Sequence, residues 1–321
     1  MSDSTYLIDH LSLALVTDPA RAPAGPDALP SIDEAMFVDS VIRDGGAIEA
    51  DALAPWVRAM RTSTPVATSL DLDDPRLADL CRGLSFDEFH PVFQSVVRLE
   101  DGRTVGAEAL ARWAHPVHGT LLPEAFVPLA DRSGLLAALG SRILAGACAR
   151  LADWQAVGHL HSWVSVNLSA SQLASPRLHE EVAEAIARHP LAARTLVLEV
   201  AESTLADRPD AWMPRMHALR ATGARLALDN AGTGRMTLAQ IATLPVDIVK
   251  IDRSLVARLP VSSAAQAWAR ALVALCRRRG LPVVGKGVER VPEREALVEV
   301  GCPLAQGFLF STPTRSPDFD W

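Results

Sequence analysis

The chain has 321 residues, 49% hydrophobic and 21% charged, which suits a barrel-sized domain plus an extra segment and excludes a disordered, collagen-like or coiled-coil chain. Lysine and arginine number 31 against 38 aspartate and glutamate, a net charge of −7, which excludes coating of nucleic acid or anionic membrane by bulk charge. A local cluster of positive groups for a phosphate-bearing small ligand stays compatible with that balance.

No basic stretch precedes an apolar one at the N-terminus and no run approaches about 18 apolar residues, so a cytoplasmic chain without a membrane span is expected. Cys81, Cys148, Cys276 and Cys302 lack metal or C-x-x-C spacing and read as reduced, buried thiols. Residues 1–85 form a separate N-terminal segment, mostly helical, with a linker-like Pro19-Ala20-Arg21-Ala22-Pro23-Ala24-Gly25-Pro26 stretch. Ser31 to Glu34 looks like a helix start with a capping-box spacing, and Asp51–Met60 and Asp71–Leu80 read as further helices. No chemistry is legible there, and a protein partner is the role this segment leaves open.

From about residue 90 short β-rich runs alternate with longer helical ones. His90–Leu99 and Thr104–Leu110 flank Asp101-Gly102, a hairpin signal. Further strands are expected at Trp163–Leu168, Thr195–Val200, Arg225–Leu228, Val246–Ile251, Pro282–Val284 and Gly307–Phe310. Helices are expected at Leu135–Trp154, Leu178–Arg188, Ala211–Thr222, Thr237–Leu244, Ala264–Arg279 and Glu293–Val300. This alternation predicts an α/β fold, a (β/α)8 TIM-type barrel over residues 86–321, rather than a doubly wound sheet, since no glycine-rich phosphate fingerprint follows any strand. The tryptophans of the periodic segments are expected to pack in the core, and His115, His118, His159 and His161 to lie on loops or the surface.

In such a barrel the chemistry lies where strands end. The polar residues there are Glu108, Asn167, Glu199, Asp229, Lys250 with Asp252, Lys286 and Gln306. Carboxylates and an amide converging at one mouth repel unless something positive lies between them. An oxygen-ligated dication such as Mg²⁺ or Mn²⁺ would do this, and so would ion pairs with lysine or arginine; spacing alone leaves both open.

The run Glu108-Ala109-Leu110-Ala111-Arg112-Trp113, with Ser165-Val166-Asn167-Leu168-Ser169, Leu198-Glu199-Val200-Ala201-Glu202, Leu244-Pro245-Val246-Asp247, Lys250-Ile251-Asp252 and Gln306-Gly307, resembles the EAL-domain family of cyclic-di-GMP phosphodiesterases. The resemblance implies a barrel whose first strand is antiparallel, in agreement with the hairpin. It also implies hydrolysis of cyclic di-GMP to linear pGpG with two divalent cations. By motif, Glu108, Asn167, Glu199 and Asp229 match the ligands of the first cation. Lys250 matches a water-positioning lysine, and Glu289 and Gln306 match further catalytic positions. Glu202 matches the glutamate that supports the loop after the family's fifth strand, and Gln94, Leu110, Arg112 and Asp252 match positions that contact the nucleotide.

Two departures from that pattern fall at the second cation. Its second aspartate is Asn230, and its glutamate is Lys286. The loop from Ala231 to Thr237 also lacks the family's usual aromatics. Asp to Asn adds +1 and Glu to Lys adds +2, so the site is about three charges more positive, and a dication beside an ammonium meets strong repulsion. The expectation is a degenerate member that binds cyclic di-GMP without cleaving it, with at most one Mg²⁺ or Mn²⁺ bound. The alternatives are an interaction module that has lost the nucleotide and a weakly active phosphodiesterase. Dimerisation stays open.

Overall fold

The computed structural model describes Pro75 to Trp321 apart from residues 207, 316–318 and 320. The expected helices at Ser31–Glu34 and Asp51–Met60, and the start of the one at Asp71, lie outside the described residues. The remainder of the third is helix α1 (Pro75–Ser85), which runs five residues past the expected end at Leu80.

The chain divides into two compact units. One is the described part of Met1–His90 with Arg112–Leu139, the other Pro91–Ala111 with Gly140–Trp321. Strands β1 (Phe89–Arg98) and β2 (Thr104–His115) run through both. In the first unit, β3 (Gly119–Leu121) pairs antiparallel with the end of β2, and α2 (Pro123–Arg132) comes next, with Pro123 suited to a helix's first turn. Trp113 packs on Phe89 at 4.8 Å and donates its indole N–H to Glu88 at 2.8 Å. His115, expected on a loop or the surface, is instead buried against Trp113, where Nδ1 accepts the N–H groups of Val117 and His118. It faces inward because its ring satisfies the turn that joins β2 to β3.

The second unit holds the barrel. The strand order is β1-β9-β8-β7-β6-β5-β4-β2, closed by pairing of β1 with β2. The later strands are β4 (Trp163–Leu168), β5 (Leu196–Ala201), β6 (Arg225–Ala231), β7 (Ile248–Ile251), β8 (Val283–Gly285) and β9 (Leu304–Ala305). From β2 through β4 to β9 each strand pairs parallel with the next, and β1 is antiparallel to β9. The Asp101-Gly102 turn is built as expected: Gly102 takes a φ of 77° and Arg98 N–H bonds the Arg103 carbonyl at 2.9 Å. The helices fall within two residues of the expected ends, the longest being α3 (Leu136–Ala156). One expected strand is absent. Gly307–Phe310 is not a strand: β9 ends at Ala305, and Phe310 and Ser311 donate back to the Gly307 carbonyl in a tight turn. Gly307 abuts the loop after β8 so closely that a Cβ would lie 2.1 Å from the Val288 carbonyl oxygen, so only glycine fits at this turn.

Alternation along the strands builds the interior. Val96, Trp163, Val197, Ala227, Ile248 and Val284 form one inward cluster, while Val164, Val166, Leu198, Val200, Leu226, Leu228, Val249 and Ile251 face the helices. The Trp163 ring fills the space where a Cβ at Gly106 would sit, 2.3 Å away, so the smallest residue stands opposite the largest. Among the described residues no helix is long and apolar enough to cross a membrane.

Candidate functional site

Two residues beyond the inward apolar cluster, the same alternation turns polar. From Gly106 it leads to Glu108, from Trp163 to Ser165 and Asn167, from Val197 to Glu199, from Ala227 to Asp229, from Ile248 to Lys250, and from Val284 to Lys286. Period two therefore delivers one charged layer at the C-terminal ends of the strands.

Lys250 is the hub of that layer. Its side chain is 1% exposed, and Nζ donates to Glu108 Oε2 at 2.6 Å and to Glu199 Oε1. Asn167 Nδ2 donates to Glu108 Oε1 at 2.9 Å, so both oxygens of Glu108 are taken. Burial alone would raise Glu108, yet the ammoniums of Lys250 and Lys286 hold its carboxyl well below the usual range. Glu199 goes the other way. Burial, with the charge of Glu108 beside it, pushes its carboxyl up to about 7. Its Oε2 is buried with no hydrogen-bond partner among the described residues, and so is the hydroxyl of Ser165, which sits level with Glu108.

Asp229 lies one step further along β6, where the register with β7 shifts between Leu228 and Ala231 and Asn230 takes a φ of 57°. Asparagine is among the few side chains that tolerate this backbone, and the bulge turns both residues toward Lys286. Lys286 Nζ donates to Asp229 Oδ1 at 2.7 Å and Oδ2 at 2.8 Å, and reaches Asn230 Oδ1 at 3.4 Å. Burial opposes its charge, but Glu108, Asp229 and Glu199 hold its ammonium well above the ordinary lysine range.

Glu202 holds the loop after β6 from below. It is fully buried and accepts from the N–H groups of Gly232 and Thr233 at 3.0 Å each, from the Thr233 hydroxyl at 2.7 Å and from Met236 N–H at 2.6 Å. Gln306 Nε2 donates to Gln94 Oε1 at 3.2 Å, and Gln94 Nε2 to the Ser311 carbonyl at 2.9 Å. Asp252 caps the helix after β7 by accepting from Ser254 N–H at 2.8 Å. Glu289 is exposed and is not part of the buried layer; its N–H donates to Glu293 at 2.8 Å. Leu110 is half-buried two residues beyond Glu108. Arg112, two further, belongs to the other unit, where burial lowers its guanidinium and Glu124 partly restores it.

Two contributors escaped the sequence reading. Ser165 was findable from its inward place between Trp163 and Asn167. Glu293 is buried and holds the loop after β8 through the N–H groups of 289 and 290; only its place three residues into a helix hinted at this, and no serine or threonine precedes it to complete the usual signature.

The donor set is all oxygen, as Mg²⁺ or Mn²⁺ requires, and Glu199 Oε2 is an open acceptor. The other acceptors are engaged: Glu108 by Lys250 and Asn167, Asp229 on both oxygens by Lys286. Among the described residues no three acidic, histidine or cysteine side chains converge as a ready metal cage. With the ammonium of Lys286 on both oxygens of Asp229, an ion held by these residues would need that pair to rearrange.

A parallel barrel closed through an antiparallel first strand, with acidic and amide groups on its C-terminal ends, defines a TIM-type (β/α)8 architecture with a polar barrel mouth. The EAL domain family matches residues 77–313, and the chain belongs to it. It is 38% identical over 237 residues to the bifunctional diguanylate cyclase/cyclic di-GMP phosphodiesterase MucR of Pseudomonas aeruginosa, covering 74% of this chain and 35% of that protein. It is 37% identical to the cyclic di-GMP phosphodiesterase NbdA of the same organism, over 73% of this chain and 30% of that one. The chain thus spans about a third of the length of these relatives. A solved structure of the PaMucR phosphodiesterase in complex with c-di-GMP superposes with a TM-score of 0.71 at 37% identity, covering 75% of this chain and 97% of that one.

Proposed function

We propose that this chain is a cyclic-di-GMP receptor that binds the nucleotide at the C-terminal end of its barrel without hydrolysing it. The observation that carries this reading is Lys286, whose ammonium engages both oxygens of Asp229 and reaches Asn230. A phosphodiester is cleaved by a two-ion clamp only if both ions are held, and an ammonium in that place excludes the second by repulsion. The mouth is nearly neutral without any metal, since Lys250 and Lys286 balance Glu108 and Asp229 while Glu199 is held toward its protonated form. An anionic diester therefore meets little repulsion there. Glu108, Asn167, Glu199 and Asp229 would hold one Mg²⁺ or Mn²⁺, which would supply positive charge to a phosphate oxygen. Gln94, Leu110, Arg112 and Asp252 are the proposed nucleotide contacts, Arg112 through its planar fork of donors. A protein partner for residues 1–85 and a homodimer belong to the same proposal.

The buried Glu108–Lys250–Glu199 group and Gln306 favour a second reading, weak phosphodiesterase activity. Calorimetry with cyclic di-GMP and an assay for pGpG with Mg²⁺ or Mn²⁺ separate the two. The receptor predicts saturable binding and no product. Turnover near one per second, within the ordinary enzymatic range, favours the enzyme, and absence of binding heat ends the receptor reading.

A further inference from the structure

The opposite end of the barrel carries a second charged site. Two adjoining clefts of about 480 and 500 Å³ open there, sharing Arg194 and Arg225. Arg194 precedes β5, Arg225 opens β6, Asp247 precedes β7 and Arg279 precedes β8, so the site lies at the N-terminal ends of the parallel strands. Four guanidiniums, those of Arg194, Arg220, Arg225 and Arg279, face one carboxylate, Asp247, a local excess of positive charge in a chain whose net charge is −7.

Asp247 has no capacity left for another arginine. Oδ1 accepts from Arg194 at 2.6 Å and Arg220 at 2.8 Å, and Oδ2 from Arg220 Nε at 3.1 Å and Leu226 N–H at 3.0 Å. Arg279 spends donors on the Leu244 and Ile241 carbonyls at 3.0 and 3.3 Å. Arg225 is left over. Its guanidinium lies 5.6 Å from the Trp163 ring, and its Nε is buried with no hydrogen-bond partner among the described residues. A buried donor without an acceptor is costly, and a guanidinium is the group whose fork best fits phosphate oxygens.

We propose that this N-terminal cleft is a binding site for a small molecule bearing a pyrophosphate or an equivalent multiply charged phosphate group, with Arg225 and Arg194 as its principal donors. The ligand's oxygens accept from the part of the Arg225 guanidinium that lines the cleft, and its charge offsets the excess of guanidiniums. The site is separate from the barrel mouth and independent of what binds there.

The test is calorimetric titration of the full chain with inorganic pyrophosphate at matched ionic strength, with orthophosphate alongside to read the dependence on charge. Saturable binding is expected, tighter for pyrophosphate. Arg225→Ala and Arg194→Ala should each weaken it by roughly tenfold, as for the loss of one charge-assisted contact, and Lys286→Met should leave it within about twofold. Arg225→Lys keeps a cation over Trp163 but loses the fork, so it should also weaken binding; it carries the test if Arg225→Ala does not fold. No saturable binding at millimolar pyrophosphate overturns the proposal. So does binding that survives the arginine changes or disappears with Lys286→Met, which would place the anion at the mouth.

Discussion

The two ends of the barrel both concentrate charge, but under opposite conditions. At the mouth, Glu108, Glu199 and Lys250 are almost wholly excluded from water and depend on one another, with Asp229 and Lys286 paired alongside. At the other end Asp247 is nearly buried, but its partners Arg194 and Arg220 are 53% and 33% exposed. Exclusion of water strengthens each pair and raises the cost of stranding a charge, so the mouth is an interdependent set and the far end a solvent-screened one. The mouth is thereby preorganised as a unit, while the far end keeps guanidiniums with donors to spare.

Removing one member should expose that contrast most sharply. Lys250→Met leaves Glu108 and Glu199 facing each other without the cation that bonds both, and should cost roughly 3–5 kcal/mol in urea denaturation. A loss under about 1 kcal/mol, typical of a screened surface pair, would mean the two ends are held alike. A second test is rescue. If the defect lies only at the second cation, the double change Asn230→Asp and Lys286→Glu should give metal-dependent pGpG formation, with each single change giving little because neighbouring ligands couple. Rescue could fall short of full activity by about a hundredfold if the loop from Ala231 to Thr237 misplaces the restored aspartate by about 1 Å. A folded double mutant that binds the nucleotide and two ions yet stays inactive would move the defect to that loop.

Glu202→Ala strands the N–H groups of Gly232, Thr233 and Met236 beneath the mouth, and should cost about 2–3 kcal/mol and raise hydrogen exchange of those amides. Unchanged exchange would show that the loop holds itself.

The smallest effect belongs to Asp247 and depends on pH. Burial alone would raise its carboxyl, but hydrogen bonds from Arg220, Leu226 and Arg194 hold it below the ordinary value. Its contribution, about 1 kcal/mol for a pair with exposed partners, is therefore present above the unfolded pKa of about 4 and is lost as pH falls through the folded value. Asp247→Asn should flatten the fall in stability below about pH 4, as read by denaturation at stepped pH. An unchanged slope would assign acid sensitivity to the mouth.

Much of the fold was legible because local signals agree along the chain. Asp101-Gly102 marks a hairpin whatever surrounds it, the 3.6-residue periods of α3 and its successors bound the helices, and Trp163–Leu168 was readable to the residue. The error at Gly307–Phe310 has the opposite origin. An apolar run reads as a strand, but here Phe310 and Ser311 bond back to Gly307 in a turn packed on the Val288 backbone. His115 was misplaced for the same reason, since its burial comes from the turn that its ring satisfies.

At the site, the sequence alone determined which chemistries are available: oxygen donors at strand ends, and Asn230 and Lys286 where acidic groups stand in the family pattern. It could not determine which cation each carboxylate takes. Glu108 and Lys250 are 142 positions apart in the chain, and Asp229 and Lys286 are 57 apart. Their pairing comes from barrel closure and from the bulge at Asn230, both of which depend on long-range strand register. The same holds for Arg225, which in the sequence merely opens a strand. Only the tertiary structure saturates Asp247 with other partners and leaves the Arg225 Nε buried without a partner among the described residues, because hydrogen-bond capacity is shared out among residues that meet only when the strands close.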